Sequence, residues 1–565
     1  MTFAALGDSA VVMALGDPMS GAALTRVRRL AEVLESAALP GIIDVVPAYS
    51  TVAVFYDPGQ FLGGAGNIYD NVCQALAACA SAAGIEGASL PGSSSDRQIE
   101  LPVCYGGGHG PDLGAVAGHG RLTETEVVAR HSEAEYRVQA IGFAPGFPYL
   151  AGLPESLRTP RRTTPRPSVP PGSVGIGGAQ TGVYPLETPG GWQLIGRTPT
   201  PLFRPRESPP ALLRVGDRVR FRPIESGEFD RLAEDQRADA ASRERPDDEA
   251  SCNEIRDKAP GIEVARPGLL TTVQDLGRTG FRSAGLPLGG AMDRFALRVA
   301  NLLVGNAEDA AGLEITLLGP ELVFSSDSVV AVCGAEFEGV PSWRPIRLQA
   351  GERLKFGECR RGCRAYLSVS GGIEVPRVLG GRGTYLRARI GGFQGRALRE
   401  GDRLRVGQGR GEPSHAGSWR VSSGMLPAYS DQVTLRAVRG AQAGDFGGEL
   451  WGAGFRVSPN SDRMGLRLSG ASLSRSGAED LVSTAVAPGT VQVPPDGNPI
   501  LLMADAQTIG GYPQAAHLIS ADIPLAAQLR PGDRLRFSEV TLAEAHDIGR
   551  TREREFAHLR MGLQA

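Results

Sequence analysis

The sequence predicts an α+β chain, mostly β, in which one β unit occurs twice. Three observations carry this. Residues 171–221 and 488–537 share Pro-Gly-Ser/Thr-Val, Gln-Thr, Tyr-Pro and Gly-Asp-Arg in one order; Gly172 and Gly216 are 44 residues apart, Gly489 and Gly532 43. Repetition at a fixed spacing is the mark of a duplicated structural unit. The 565 residues include 76 Gly and 41 Pro with only 6% aromatic residues, a composition of short strands joined by tight turns. Only the first 95 residues read differently, with two helical stretches among short apolar runs.

In chain order, Ala10–Met13 reads as a strand, 20–38 as a helix, Gly41–Pro47 and Thr51–Phe55 as strands, 66–82 as a second helix and 99–103 as a returning strand. That order is the split βαβ pattern of a ferredoxin-like α/β domain, assigned to 1–95. Residues 96–224 form the first β unit, with one short helix at 123–134. Residues 225–260 are rich in Glu, Asp, Arg and Ser and poor in large apolar side chains, so they read as a linker unable to order itself. Residues 261–415 form a further β domain around a helix at 292–303, and 416–541 contain the second copy. The tail, 542–565, has charges on most faces and reads as a solvated helix.

The ending of the repeat recurs as Gly216-Asp217-Arg218, Gly351-Glu352-Arg353, Gly401-Asp402-Arg403 and Gly532-Asp533-Arg534, each followed by alternating basic and apolar residues. A Gly-acid turn entering a half-buried strand explains this pattern, so these acids are expected to form turns.

Much is excluded. A net charge of −3 gives no general attraction to nucleic acid or to an anionic membrane. Seven cysteines without regular spacing do not make a secreted disulfide framework, and with no signal-like or membrane-spanning stretch the expected location is the cytoplasm. Cys359 and Cys363 lack the company of a metal site, and no metal ligands are assigned. There is no phosphate-loop, dinucleotide, zinc-protease or nucleophile-elbow motif. Among seven histidines, His131 and His517 merit attention, although a structural role is the commoner fate.

The richest stretch is 141–199. Prolines at 160, 165, 167, 170 and 171 hold the backbone extended, so Arg161, Arg162 and Arg166 can present an array to a carboxylate or phosphate. The alternative is a solvated face. Gln180, Thr181 and Tyr184, after the glycines at 175–178, and Arg197 complete a candidate substrate- or phosphate-binding set. Gln507, Thr508 and Tyr512 repeat the Gln-Thr and Tyr-Pro letters. Asp505 is a candidate carboxylate for general-base or metal chemistry. Asp293 is a second candidate, with helix N-cap as its alternative.

These segments resemble a known family. Residues 141–199 resemble the B-type subunit of bacterial 5-oxoprolinase, the family of the Kip inhibitor of a sporulation kinase. LLTTVQDLGRTG, GGAMDRFALRVANLLVGN, VQVPPDG and QTIGGYP resemble the C-type subunit, and both together resemble the carboxyltransferase region of urea carboxylase. The resemblance implies cyclophilin-like β-barrels after the α/β domain. It also implies ATP and Mg2+ as cofactors and, as partner, a separate A-type subunit of 5-oxoprolinase. The small-molecule substrate it implies is 5-oxo-L-proline, opened to L-glutamate. Asp505, Asp293 and Gln507 are the catalytic candidates under it, and homo-oligomerisation stays open. A biotin-dependent carboxyltransferase and a regulator of a histidine kinase are the alternatives. The chain departs from the family at Ala506, where an arginine is usual, and at Thr484, where a carboxylate is usual, which bears on the substrate.

Overall fold

The computed structural model describes residues 1–17, 20–61, 67–85, 97–243, 260–409, 420–477 and 481–564. The N-terminal sheet is antiparallel, with Thr2–Ala5, Ala10–Ala14, Thr51–Tyr56 and Ile42–Ala48 adjacent in that order. Its period-2 pattern makes both faces apolar. Val11, Met13, Val52 and Val54 lie under helices Gly21–Ala37 and Ile68–Ala82, while Ala10, Val46, Ala53 and Phe55 face the rest of the molecule.

One element of the ferredoxin-like reading is corrected. The expected returning strand, Gln98–Tyr105, leaves this sheet and lies between Arg218–Pro223 and Gln193–Arg197. Thr2–Ala5 takes the edge beside Ala10–Ala14 instead, through a short hairpin whose closure costs little chain entropy. Leu101 and Val103 are fully buried in the new setting.

There, seven strands close a barrel: Gln98–Tyr105, Gln193–Arg197, Ser173–Gly177, Gln180–Val183, Pro148–Ala151, Tyr136–Ile141 and Arg218–Pro223. A second closed barrel runs Gln432–Arg439, Gln514–Leu518, Thr490–Gln492, Ile500–Leu502, Gly465–Gly470, Gly454–Val457 and Arg534–Glu539. The spatial order is the same, and in each barrel the first and last strands pair in parallel. The duplication is therefore one of whole barrels.

Strand register also corrects the pairing of the two motifs. Thr188 pairs with Val169 in the first copy; in the second, the N–H of Val486 donates to the carbonyl of Thr508 at 3.0 Å. Glu187-Thr-Pro-Gly-Gly-Trp192 is thus the counterpart of Gln507-Thr-Ile-Gly-Gly-Tyr512, and Arg166, paired with Gly190, stands where Thr484 is paired with Gly510. Gln180, Thr181 and Tyr184 lie one strand earlier.

Between the barrels, residues 261–406 form two five-stranded sheets around one apolar core, with helix Arg294–Leu303 packed outside. The linker expectation is corrected for its first half. Ser226–Arg243 is a helix, because Phe229, Leu232 and Ala233 cover Cys104 and Ile224 on the barrel wall; residues 244–259 lie outside the described residues. Helix Leu113–Gly120, rich in glycine, is an addition to the expected elements. The tail forms helix Leu542–Gln564 and is not simply solvated: Phe556 is buried against Phe295, with ring centroids 5.1 Å apart. Among the described residues no helix is long and apolar enough to cross a membrane.

The Gly-acid turns form as expected. Each glycine has φ between +83° and +96°, and each acid accepts the N–H three residues upstream at 2.7–2.8 Å. Asp402 also grips Arg396 through both oxygens. Asp402→Ala is expected to lower stability by about 1–3 kcal/mol, read as a drop in Tm.

The two halves are docked through buried groups. Arg282 is paired with Asp44, its N–H donates to Asp44 Oδ1 at 3.3 Å, and its guanidinium lies 4.1 Å from the Phe55 ring centroid. Gly146 N–H donates to Ala284 O at 2.8 Å. A Cβ at Gly142 would stand 2.4 Å from Ile509, so only glycine permits that approach of the second barrel.

Candidate functional site

The proline-rich approach of the first barrel delivers the arginines to one place. Arg162 Nη1 and Arg166 Nη2 converge on Asp112 Oδ1 at 3.3 and 2.8 Å, while Asp112 Oδ2 accepts the Leu194 N–H at 2.7 Å. Asp112 therefore fixes both side chains. Arg166 Nη1 is buried and has no partner among the described residues. A buried, unmatched guanidinium donor is costly unless something else takes it, and an oxyanion is the natural acceptor.

Arg161 is exposed beside them, without an ion-pair partner among the described residues. Arg161 and Arg162, with Thr159, Pro160, Thr163, Thr164, Gln193 and a side of helix Leu113–Gly120, line a cleft of about 490 Å³. Within reach of the Arg161 charge stand three buried phenols, of which sequence reading missed Tyr49 and Tyr149. Gln180 Nε2 donates to Tyr49 Oη at 2.6 Å, and Tyr49 packs near Tyr149. Tyr184 is buried among Phe143, Phe147 and Trp192. Burial pushes the Tyr184 hydroxyl up to about 12, against the opposing charges of Arg161 and Arg166. Burial likewise raises Tyr49 and Tyr149, again opposed by Arg161. At neutral pH these phenols keep their protons and can donate hydrogen bonds.

Arg161, Arg166, Gln180 and Tyr184 thus come together, joined by Asp112, Tyr49 and Tyr149. Thr181 does not join them. It is buried, donates to Gly175 O at 3.0 Å and lies 3.1 Å from His131 Nε2, while His131 Nδ1 lies 2.8 Å from Tyr105 Oη. Burial lowers His131 to about 3, so it is neutral. Arg197 is also elsewhere, against Phe229 at the linker helix.

The second-module candidates fall into two places. Asp505 is held at both oxygens by Arg463, through Nε at 2.8 Å and Nη2 at 3.0 Å. Arg463 also pairs with Glu314 and donates to Gly290 O at 2.7 Å. Burial works against the Glu314 charge, but Arg463 and Arg364 hold its carboxyl below the usual range. Asp293 caps helix Arg294–Leu303 by accepting Ala296 N–H at 2.9 Å, and it accepts Tyr429 Oη at 2.6 Å and Gln528 Nε2 at 2.8 Å. Burial pushes its carboxyl up to about 6. The N-cap alternative accounts for its Oδ1, while Oδ2 is taken by Tyr429 and Gln528, and both aspartates belong to a buried network tying the sandwich to the second barrel. Gln507 sits on the ribbon formed with Thr484–Ala485, 3.5 Å from Gln492 Oε1, and Tyr512 is 41% exposed.

Comparison with known proteins places this geometry. Residues 1–213 match the family model for carboxyltransferase domain, subdomain C and D, and residues 284–539 the model for subdomain A and B. The chain is 41% identical over 230 residues to the B-type subunit of 5-oxoprolinase from Bacillus subtilis, covering 40% of this chain and 93% of that protein. It is 39% identical over 310 residues to the C-type subunit of 5-oxoprolinase from Escherichia coli K12, covering 53% of this chain and 97% of that protein. The crystal structure of TTHA0988 superposes with a TM-score of 0.78 at 34% identity, covering 94% of this chain and 99% of that one.

Proposed function

This chain belongs to the carboxyltransferase-domain family, joining one module similar to the B-type and one similar to the C-type 5-oxoprolinase subunits, and we propose that it is the fused B and C component of an ATP-dependent 5-oxoprolinase. The observation that carries this is the near-complete match to each of two subunits in one chain whose halves dock through a buried ion pair. The enzyme is completed by a separate A-type subunit.

5-Oxoproline presents a carboxylate at one end and a lactam at the other. The Arg161–Arg166 cluster suits the carboxylate, or the phosphate of a bound nucleotide, because Arg166 Nη1 is an unmatched donor. ATP, when bound, supplies the phosphoryl group that activates the lactam carbonyl toward ring opening. The chain's own residues orient and hold. Asp112 locks two guanidiniums, and the protonated phenols of Tyr49 and Tyr149 can donate to a developing oxyanion. Among the described residues no group of three acidic, His or Cys side chains is placed to hold a metal ion, so they do not fit a dedicated magnesium site.

The test is ADP and glutamate formation from 5-oxoproline, with and without the purified A-type subunit. Product is expected only when that partner is present, and absence of 5-oxoproline-dependent ADP in both cases would overturn the reading. Arg161→Ala, an exposed position, is expected to fold normally and lower kcat/KM by about 10- to 100-fold. The family's name supports a second reading, transfer of a carboxyl group from carboxybiotin; it predicts turnover that requires a biotin carrier on another chain.

A further inference from the structure

We propose that the first barrel carries a second oxyanion site, formed by the Gly106–His109 turn and Arg197 beside helix Ser226–Arg243, which binds a phosphoryl group and is separate from the Arg161–Arg166 cleft. Gly106 and Gly107 have φ of +70° and +51°. Successive amides in such a turn face one concavity, the arrangement that cradles anions. The Gly106 N–H is already bonded to Ile195 O, and the Gly106 carbonyl accepts the His109 and Gly110 N–H groups. The Gly107 and Gly108 amides have no acceptor among the described residues, and a Cβ at either position would meet nothing within 4 Å. They open on a cavity of about 640 Å³, room for more than an inorganic ion.

Arg197 supplies the charge. It pairs with Cys104 on the adjacent strand, one residue before that strand's last, and lines the same cavity as the turn. Its Nε donates to Pro171 O at 2.8 Å and its guanidinium lies 5.8 Å from the Phe229 ring centroid, so the head is oriented. Its Nη atoms have no partner among the described residues. Arg237 adds a second positive charge nearby; burial first, and then Arg237, make the Arg197 cation less favourable. An anion between them relieves that repulsion. Of the lining residues only Glu225, which is exposed, is acidic.

The second barrel shows what this wall accepts. His517 occupies the place of Arg197, opposite Val438 and Thr490 as Arg197 is opposite Cys104 and Ser173. There the loop Leu6–Asp8 covers the wall, with Gly7 against His517. The Asp8 carboxylate takes the Ser520 N–H at 2.8 Å and the Ser520 hydroxyl at 2.5 Å. The turn that corresponds to Gly106–His109 is Gly440–Ala443, and there the Gln442 N–H is taken by Gln514 O at 3.1 Å; the Gly108 N–H has no such acceptor among the described residues.

The test follows the Gly107 and Gly108 amide resonances of the full chain during titration with inorganic phosphate, ADP and ATP. Saturable shifts are expected, weakened about 10- to 100-fold by Arg197→Gln and by Gly108→Asp, which puts a carboxylate into open space, and unchanged by Arg161→Gln. A lower midpoint for ATP or ADP than for phosphate names a nucleotide as ligand; the reverse names free phosphate. Amides that respond to none of the three, or that respond equally in Arg197→Gln, overturn the proposal. Because the readout is binding at named amides, it is independent of 5-oxoproline turnover.

Discussion

Asp44→Ala is expected to cost about 3–5 kcal/mol, enough to undock the two halves of the chain, because it leaves the Arg282 guanidinium buried without its partner. Arg282 and Asp44 side chains are 8% and 2% exposed, and Arg282 is wedged between the N-terminal sheet and the loop that meets Gly146. Most of that loss is the penalty of an uncompensated charge, since the pair itself repays little beyond its own desolvation. Replacing both residues, Asp44→Leu with Arg282→Met, should therefore recover most of the stability. Urea unfolding of the three proteins decides it. A single variant as stable as the parent, or a double variant no better than the single, would falsify the docking role. The same undocking should also remove activity, since Ile509 and the ribbon it lies on then lose their seat against Gly142.

That pair shows what could and could not be read from the chain. Turn chemistry is local, so Asp217, Asp402 and Asp533 declare themselves within three residues. The prolines and arginines of 160–171 likewise announce an array. Its anchor does not, because Asp112 lies 50 residues from Arg162 and nothing in its Gly- and Ala-rich neighbourhood marks it. Asp44 and Arg282 are 238 positions apart, and nothing near either marks the other. The repeat misled in a different way. Shared letters linked Gln180-Thr181 to Gln507-Thr508, whereas backbone pairing links Thr188-Pro-Gly-Gly-Trp192 to Thr508-Ile-Gly-Gly-Tyr512. The Thr-x-Gly-Gly-aromatic spacing was present in the sequence and was the better signal, because Gly-Gly serves the backbone while Gln and Tyr vary with what they touch. At position 505 the same limit applies: an aspartate in a polar motif looks reactive until both its oxygens are found on Arg463.

Acid is expected to destabilise each barrel through its buried histidine. His131 is 0% exposed and burial lowers it to about 3; His517 is 2% exposed and burial lowers it to about 4. An unfolded histidine binds its proton near pH 6.5, so between that value and the folded values the unfolded state holds more protons. Stability then rises with pH, and it is lost as pH falls below about 6.5. At pH 5 the loss is about 2 kcal/mol for each histidine, the unfolded chain being protonated and the folded one not. Asp293 works the other way. Raised to about 6, it takes a proton in the folded state first, so its contribution grows as pH falls through 6 toward 4. The raw pH profile mixes these slopes, and the comparison with a variant separates them. His131→Gln and His517→Gln should each lower stability at pH 7.5 by breaking contacts with Thr181 or Thr490, yet narrow their deficit against the parent by about 2 kcal/mol at pH 5. A deficit that stays constant across that range would show that these histidines titrate in the folded barrels as they do in the unfolded chain.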